Sequence, residues 1–63
     1  MTMDLAIYRN IGKDTQVSVK LDNKPIEQFY SFGEYRDDLT IWTDEQIQNH
    51  IKSDLISRGY EIT

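Results

Sequence analysis

The amino-acid sequence predicts the α+β class, with a small antiparallel β-sheet of three to four strands and one C-terminal α-helix packed on one face of it. Apolar and polar residues alternate in the first third of the chain, as they do in strands with one solvated face. In the last third, apolar residues recur at every fourth position, which is the spacing of an amphipathic helix. A chain of 63 residues has room for one domain, expected to span residues 1–63.

The N-terminal half of the sequence predicts a β-hairpin followed by a second turn. Most odd-numbered residues from Met3 to Ile11 are apolar, which predicts a strand. Residues 12–14 have the composition of a turn, and residues 17–21 alternate again between apolar and polar side chains. Residues 22–25 predict the second turn, because Asn tolerates a positive φ and Pro has no N–H to donate to a neighbouring strand.

Three later segments are predicted to be strands. In residues 26–32, Ile26, Tyr30 and Phe32 share even-numbered positions, which favours a strand with one apolar face. Gln28 interrupts this pattern, and Phe29 is expected on the opposite side. Residues 39–42 are β-branched, bulky or aromatic, and such residues favour a short strand. Residues 60–62 predict a short terminal strand, whose first and last side chains point to the same side.

The C-terminal helix is predicted to span residues 44–58. Thr43 followed three residues later by Gln46 predicts a capping box at its start. Gly59 predicts the end of the helix, with Tyr60 packing back on it. The apolar stripe that should cover the sheet consists of Ile47, Ile51 and Leu55.

Self-association is expected from the size and composition of the chain. Apolar burial and conformational entropy nearly cancel in so short a chain, and the sequence contains no Cys, which excludes disulfides and Cys-ligated zinc as staples. We therefore expect a homodimer. The expected contact consists of Ile56 and some of the aromatic residues of 29–42, because Ile56 points about 140° away from the centre of the apolar stripe.

A cytoplasmic location and no membrane partner are expected. Residues 1–4 lack the basic start of a signal peptide, and no apolar run approaches the roughly 18 residues of a transmembrane helix.

The chemistry-bearing residues do not predict catalysis, a cofactor or a metal site. His50 and Asp54 are one helical turn apart and are expected to form a solvated pair, while zinc needs at least three protein ligands. Ser53 and His50 form a local helix contact without the third residue of a triad. A chain this short is also expected to have little room for a cleft of roughly 300 Å³, the size that ligand pockets need. The sequence therefore predicts a non-enzymatic protein.

The middle of the chain predicts a surface that binds another protein. Residues 26–46 carry six acidic side chains and one basic side chain, and residues 29–42 hold five of the seven aromatic residues. Aromatic residues are enriched at interface centres, and acidic residues attract a basic partner. The same rings could instead fill the core of the sheet, and the sequence leaves both interpretations open. The candidate binding residues are Phe29, Tyr30, Phe32, Glu34, Tyr35, Asp37, Asp38, Trp42 and Ile56.

A nucleic-acid-binding regulatory protein is the alternative function. It would use the four basic residues of the N-terminal hairpin region, which are Arg9, Lys13, Lys20 and Lys24. The acidic middle of the chain opposes such binding, so nucleic acid is the less favoured partner. The short, acidic and cysteine-free profile resembles accessory proteins of phages and prophages, and this resemblance implies a phage or prophage origin.

Overall fold

The computed structural model describes residues 1–10 and 12–63. It contains a four-stranded antiparallel sheet and one C-terminal helix that packs on the sheet, which confirms the predicted fold class. The elements are β1 (Met3–Tyr8), β2 (Thr15–Leu21), β3 (Lys24–Pro25), β4 (Tyr30–Phe32) and α1 (Asp44–Ser57). β1 ends earlier than predicted, and Ile11, the predicted last residue of the first strand, lies outside the described residues.

The central strand β2 has neighbours on both sides. β1 pairs antiparallel with it on one side, with Leu5 opposite Val19, as the predicted hairpin requires. On the other side, β3 and β4 follow one another along the same edge of β2. The turn predicted over residues 22–25 is confirmed in its first half: Asp22 and Asn23 have φ values of 51° and 65°, and a two-residue type I′ turn requires a positive φ at both positions. Lys24 and Pro25 belong instead to β3, which pairs with β2.

The predicted strand over residues 26–32 is wrong as a continuous element. The Ile26 N–H donates to the Val19 carbonyl, and Tyr30 lies opposite Val17. The three residues 27–29 therefore occupy the length of a single residue of β2, Ser18. Such a bulge interrupts the ladder and expels the extra residues from it. It separates β3 from β4 while Tyr30 stays on the core face of the sheet.

The strand predicted over residues 39–42 is also wrong. One isolated antiparallel bridge joins Tyr35 to Ile41. Leu39 has a φ of 65°, and this left-handed conformation ends any extended pairing at that residue. The bulky residues that favoured a strand belong instead to a tight hairpin loop.

Residues 60–62 do not form the predicted terminal strand. The chain does lie beside the N-terminus there: the Met1 ammonium donates to the Glu61 carbonyl at 2.6 Å, and the Thr63 N–H donates to the Met1 carbonyl at 3.2 Å. These two bonds flank Ile62 as in a parallel pair. A contact of one residue is too short to form a strand.

The predicted helix and both of its caps are confirmed. The Thr43 hydroxyl accepts from the Gln46 N–H at 3.1 Å, and the Gln46 side chain accepts from the Thr43 N–H at 3.0 Å. At the other end, Gly59 has a φ of 101° and the Tyr60 N–H donates to the Leu55 carbonyl. This pattern is the Schellman motif.

The core lies between α1 and one face of the sheet. The sheet contributes four buried apolar residues and the helix three, and the side chains of β1 are only half-buried against them. The buried residues are Val17, Val19, Leu21, Phe32, Ile47, Ile51 and Leu55. Among residues 1–10 and 12–63, no helix lies on the opposite face of the sheet.

In the described part of the chain, no helix is long and apolar enough to cross a membrane.

Candidate protein-binding surface

The candidate surface is built on residues 33–42, which we call the acidic loop. The Arg36 N–H donates to the Thr40 carbonyl at 2.7 Å, and the Leu39 N–H donates back to the Arg36 carbonyl at 2.9 Å. Together with the bridge between Tyr35 and Ile41, these bonds close a short hairpin with Leu39 near its tip. The loop therefore has a defined backbone conformation.

Asp38 holds the tip of the acidic loop. Its Oδ1 accepts hydrogen bonds from the Thr40 N–H at 3.1 Å and from the Thr40 hydroxyl at 2.5 Å, and its Oδ2 lies 3.4 Å from Arg36 Nη1. The hydrogen bonds from Thr40, with a smaller contribution from Arg36, hold the pKa of Asp38 below its ordinary value. The carboxylate is therefore charged at neutral pH and is itself part of the loop structure.

Leu39 occupies a conformation that disfavours leucine. A left-handed φ costs a residue with a β-carbon about 1–2 kcal/mol, and Gly or Asn normally fills such positions. The side chain is 80% exposed, so it gains little from burial. Neither backbone preference nor core packing explains a leucine here.

Two further apolar side chains are exposed on the acidic loop. Tyr35 is 54% exposed and Ile41 is 58% exposed, and because they face each other in an antiparallel bridge their side chains lie on the same side of the hairpin. Trp42, the next residue, points the other way and packs on Phe32, with ring centroids 4.9 Å apart. The loop is thus anchored by Trp42 and presents Tyr35 and Ile41 outward.

An open cavity of about 440 Å³ lies between the acidic loop and β4. Its walls include Phe32, Asp37 and Trp42, and the Arg36 guanidinium lies 5.4 Å above the Trp42 ring. The expectation that so short a chain has little room for a cleft of roughly 300 Å³ is therefore wrong.

The structure divides the aromatic candidates between the core and the surface. Phe32 is buried, and Tyr30 and Trp42 are half-buried against the core, so these rings belong to the packing. Phe29 is 77% exposed because the bulge expels it, and Tyr35 is exposed on the acidic loop. The core interpretation therefore holds for Tyr30, Phe32 and Trp42, while the interface interpretation stays a prediction for the two exposed rings.

The remaining candidate residues are exposed, but they do not all lie together. Glu34, Asp37 and Asp38 belong to the acidic loop, whereas Ile56 lies on α1. The exposed Leu39 and Ile41 were missed, because their bulk predicted a strand. A leucine directly after two acidic residues was the available signal of an exposed loop tip.

Asp54 forms a different pair from the one expected. It accepts from the Tyr30 hydroxyl at 2.6 Å and from Arg58 Nε at 2.9 Å, whereas His50 lies edge-on to Phe32 and Trp42. The hydrogen bonds from Tyr30 and Arg58 lower the pKa of Asp54. Burial, followed by the bond to Asp54, raises the pKa of Tyr30 to about 12.

The basic residues of the N-terminal half do not form a free cluster around Arg9. Arg9 Nη2 lies 2.6 Å from Asp44 Oδ1 and 2.8 Å from the Trp42 carbonyl, so it ties the end of β1 to the start of α1. Lys20 lies opposite Asp4 in the pairing of β1 with β2. Two of the four basic residues thus have acidic neighbours.

Within residues 1–10 and 12–63, no group of three or more His, Asp or Glu side chains could hold a metal ion. Comparisons of the chain with protein families, with curated proteins and with solved structures find no match.

Proposed function

We propose that this chain is a small, non-enzymatic binding or regulatory module whose acidic loop docks on a basic surface of another protein. One observation carries the proposal: a single short hairpin combines three exposed apolar side chains with exposed carboxylates. Apolar side chains that lose water on contact supply affinity, while the surrounding charges select and orient the partner.

The charge around the acidic loop supports a basic partner. Arg36 is the one basic residue among residues 26–46, and its guanidinium is directed at Trp42 and at the Asp38 carboxylate. Glu34 and Asp37 are exposed and have no basic side chain within ion-pair distance in the described part of the chain. Their negative field acts on whatever approaches the loop, and it accelerates association with a positive surface.

The conformation of Leu39 supports the same assignment. Backbone strain at an exposed position lowers stability, and such strain is concentrated at sites that serve binding or catalysis. Leu39 exposes an aliphatic side chain at the tip of the hairpin, where it is accessible to a partner. We infer that Leu39 is the central contact, with Tyr35 and Ile41 beside it.

Affinity capture with matched baits tests this proposal. Extract from the source cell is passed over the wild-type chain, over Leu39→Asn, over the pair Asp37→Asn with Glu34→Gln, and over the control Tyr8→Ser. Tyr8 is also exposed, but it lies on β1. Asn accepts the left-handed conformation of residue 39, so Leu39→Asn removes the apolar side chain without disturbing the loop.

We expect the wild type and Tyr8→Ser to retain one basic protein, and both loop variants to fail to retain it. Moderate salt should elute this protein from the baits that bind it. Equal retention on all four baits would contradict the assignment of the acidic loop. Retention of nucleic acid by the wild type, with no protein, would favour the alternative function.

A further inference from the structure

β1 has a free edge. The Asp22 N–H donates to the Thr2 carbonyl, and in an antiparallel pair every second residue bonds to the neighbouring strand. Asp4, Ala6 and Tyr8 therefore bond to β2, while the backbone groups of the three odd-numbered residues point away from it. No hydrogen bond joins those outward groups to any residue in the described part of the chain; the three residues are Met3, Leu5 and Ile7.

The two edges of the sheet differ in how they are protected against further pairing. The edge formed by β3 and β4 carries Pro25, which has no N–H, next to Lys24 and the bulge at 27–29, and these are devices that block pairing with another strand. β1 has no Pro, no Lys and no bulge along its six residues. An exposed edge without such protection is a ready template for another strand.

The core side of β1 is also incompletely covered. Met3, Leu5 and Ile7 are half-buried, whereas Val17 and Val19, on the neighbouring strand, are almost fully buried. α1 thus covers the centre of the sheet better than the edge formed by β1. A strand added beside β1 would place its own side chains against the exposed parts of Met3, Leu5 and Ile7.

We propose that β1 pairs with β1 of a second copy, so that two chains form one continuous antiparallel sheet about a two-fold axis at Leu5. In this register Leu5 faces Leu5 of the second copy, and Met3 faces its Ile7. Three outward residues on each chain then exchange about six backbone hydrogen bonds. The inference concerns a surface separate from the acidic loop, so it does not depend on the proposed function.

Self-complementarity is the reason to choose a second copy over another protein. On the core side, the register pairs only apolar residues. On the opposite face it sets Asp4 beside Ala6 of the second copy, so that no like charges face each other. The C-terminal segment already bonds to Met1 on this edge, which limits the free stretch to residues 3–7 and excludes a longer strand. A two-fold pairing also closes the edge, with no strand left for further growth.

Sedimentation equilibrium from about 1 μM to about 1 mM tests the proposal. The first variant is a synthetic chain with an N-methyl group on Leu5, which removes an outward N–H without touching the bonds between β1 and β2. The second is Ala6→Asp, which sets like charges opposite each other across the dimer, with Ala6→Lys as its charge-reversed partner. Ser18→Asp is the matched control, because Ser18 lies opposite Ala6 on β2, one strand in from the edge.

We expect the wild type to be in equilibrium between monomer and dimer. Ala6→Asp should lower the association constant of the dimer about tenfold, and Ala6→Lys should not lower it. The chain with N-methyl Leu5 should not dimerise. Ser18→Asp is expected to dimerise like the wild type. Circular dichroism of each chain confirms that the monomer is folded. A wild type that stays monomeric throughout the range would overturn the proposal, and so would a dimer that is indifferent to the N-methyl group.

Discussion

The Tyr30 hydroxyl donates a hydrogen bond of 2.6 Å to Asp54 Oδ2, and this bond joins β4 to the last turn of α1. Arg58, the C-cap residue of α1, donates to the same carboxylate oxygen. Because β4 leads directly into the acidic loop, the contact fixes the strand from which the loop projects.

Tyr30→Phe is expected to lower the free energy of unfolding by about 1 kcal/mol, because a hydrogen bond to a charged, half-buried acceptor is lost. Urea denaturation gives the value. In a double-mutant cycle, Tyr30→Phe should have a much smaller effect when Asp54 is already Ala. Full additivity of the two substitutions would show that the bond does not stabilise the fold.

Alkaline pH should destabilise the protein through Tyr30. Its pKa is raised from 10.0 to about 12 in the folded state, so the folded state holds this proton more tightly than the unfolded state does. The stabilising contribution is complete below pH 10 and is lost as the pH rises toward 12. The difference in unfolding free energy between the wild type and Tyr30→Phe, measured from pH 8 to 12, should shrink over this interval. A constant difference would contradict the assigned shift.

Thr43→Ala is expected to lower the free energy of unfolding by about 1 kcal/mol, because the Gln46 N–H loses its acceptor. Thr43→Ser keeps the hydroxyl and should cost much less. Thermal unfolding at matched concentration measures both. Equal losses in the two variants would mean that the methyl group of Thr43, and not the cap, is responsible.

Leu39→Asn is expected to raise the free energy of unfolding by roughly 1 kcal/mol while weakening partner binding, because Asn accepts the left-handed conformation. Leu39→Ala is the control, since it removes the same apolar surface but keeps the β-carbon and its strain. Chemical denaturation should show a gain for Asn and none for Ala. A loss of stability in both variants would show that the Leu39 side chain contributes to folding.

The features that could be predicted from the sequence are the local ones. The caps of α1 involve residues three to five positions apart, and the alternation in β1 and β2 depends only on neighbours along the chain. Such signals are present in a single sequence because the interacting groups are close in it.

The features that could not be predicted depend on residues far apart in the chain. Whether residues 26–32 form one strand depends on their register against β2, and the bulge changes that register. Residues 27–29 contain no Gly or Pro that would indicate a bulge in the sequence. One of the two partners of Asp54, Tyr30, is 24 residues away and could not be predicted from local spacing. The other, Arg58, lies four residues after Asp54, at the same spacing as the expected partner His50. Three of the nine candidate residues pack in the core and six are exposed, and this division depends on the same bulge and on the turn at Leu39.

The central claim is that the acidic loop is the surface that contacts a partner. The direct measurement is a ¹⁵N–¹H correlation spectrum of the labelled chain, titrated with the protein that the wild-type bait retains. The account predicts shifts and broadening concentrated at residues 33–42, weakened by salt and absent in Leu39→Asn. Shifts confined to the open face of the sheet, or to α1, with residues 33–42 unchanged, would contradict it.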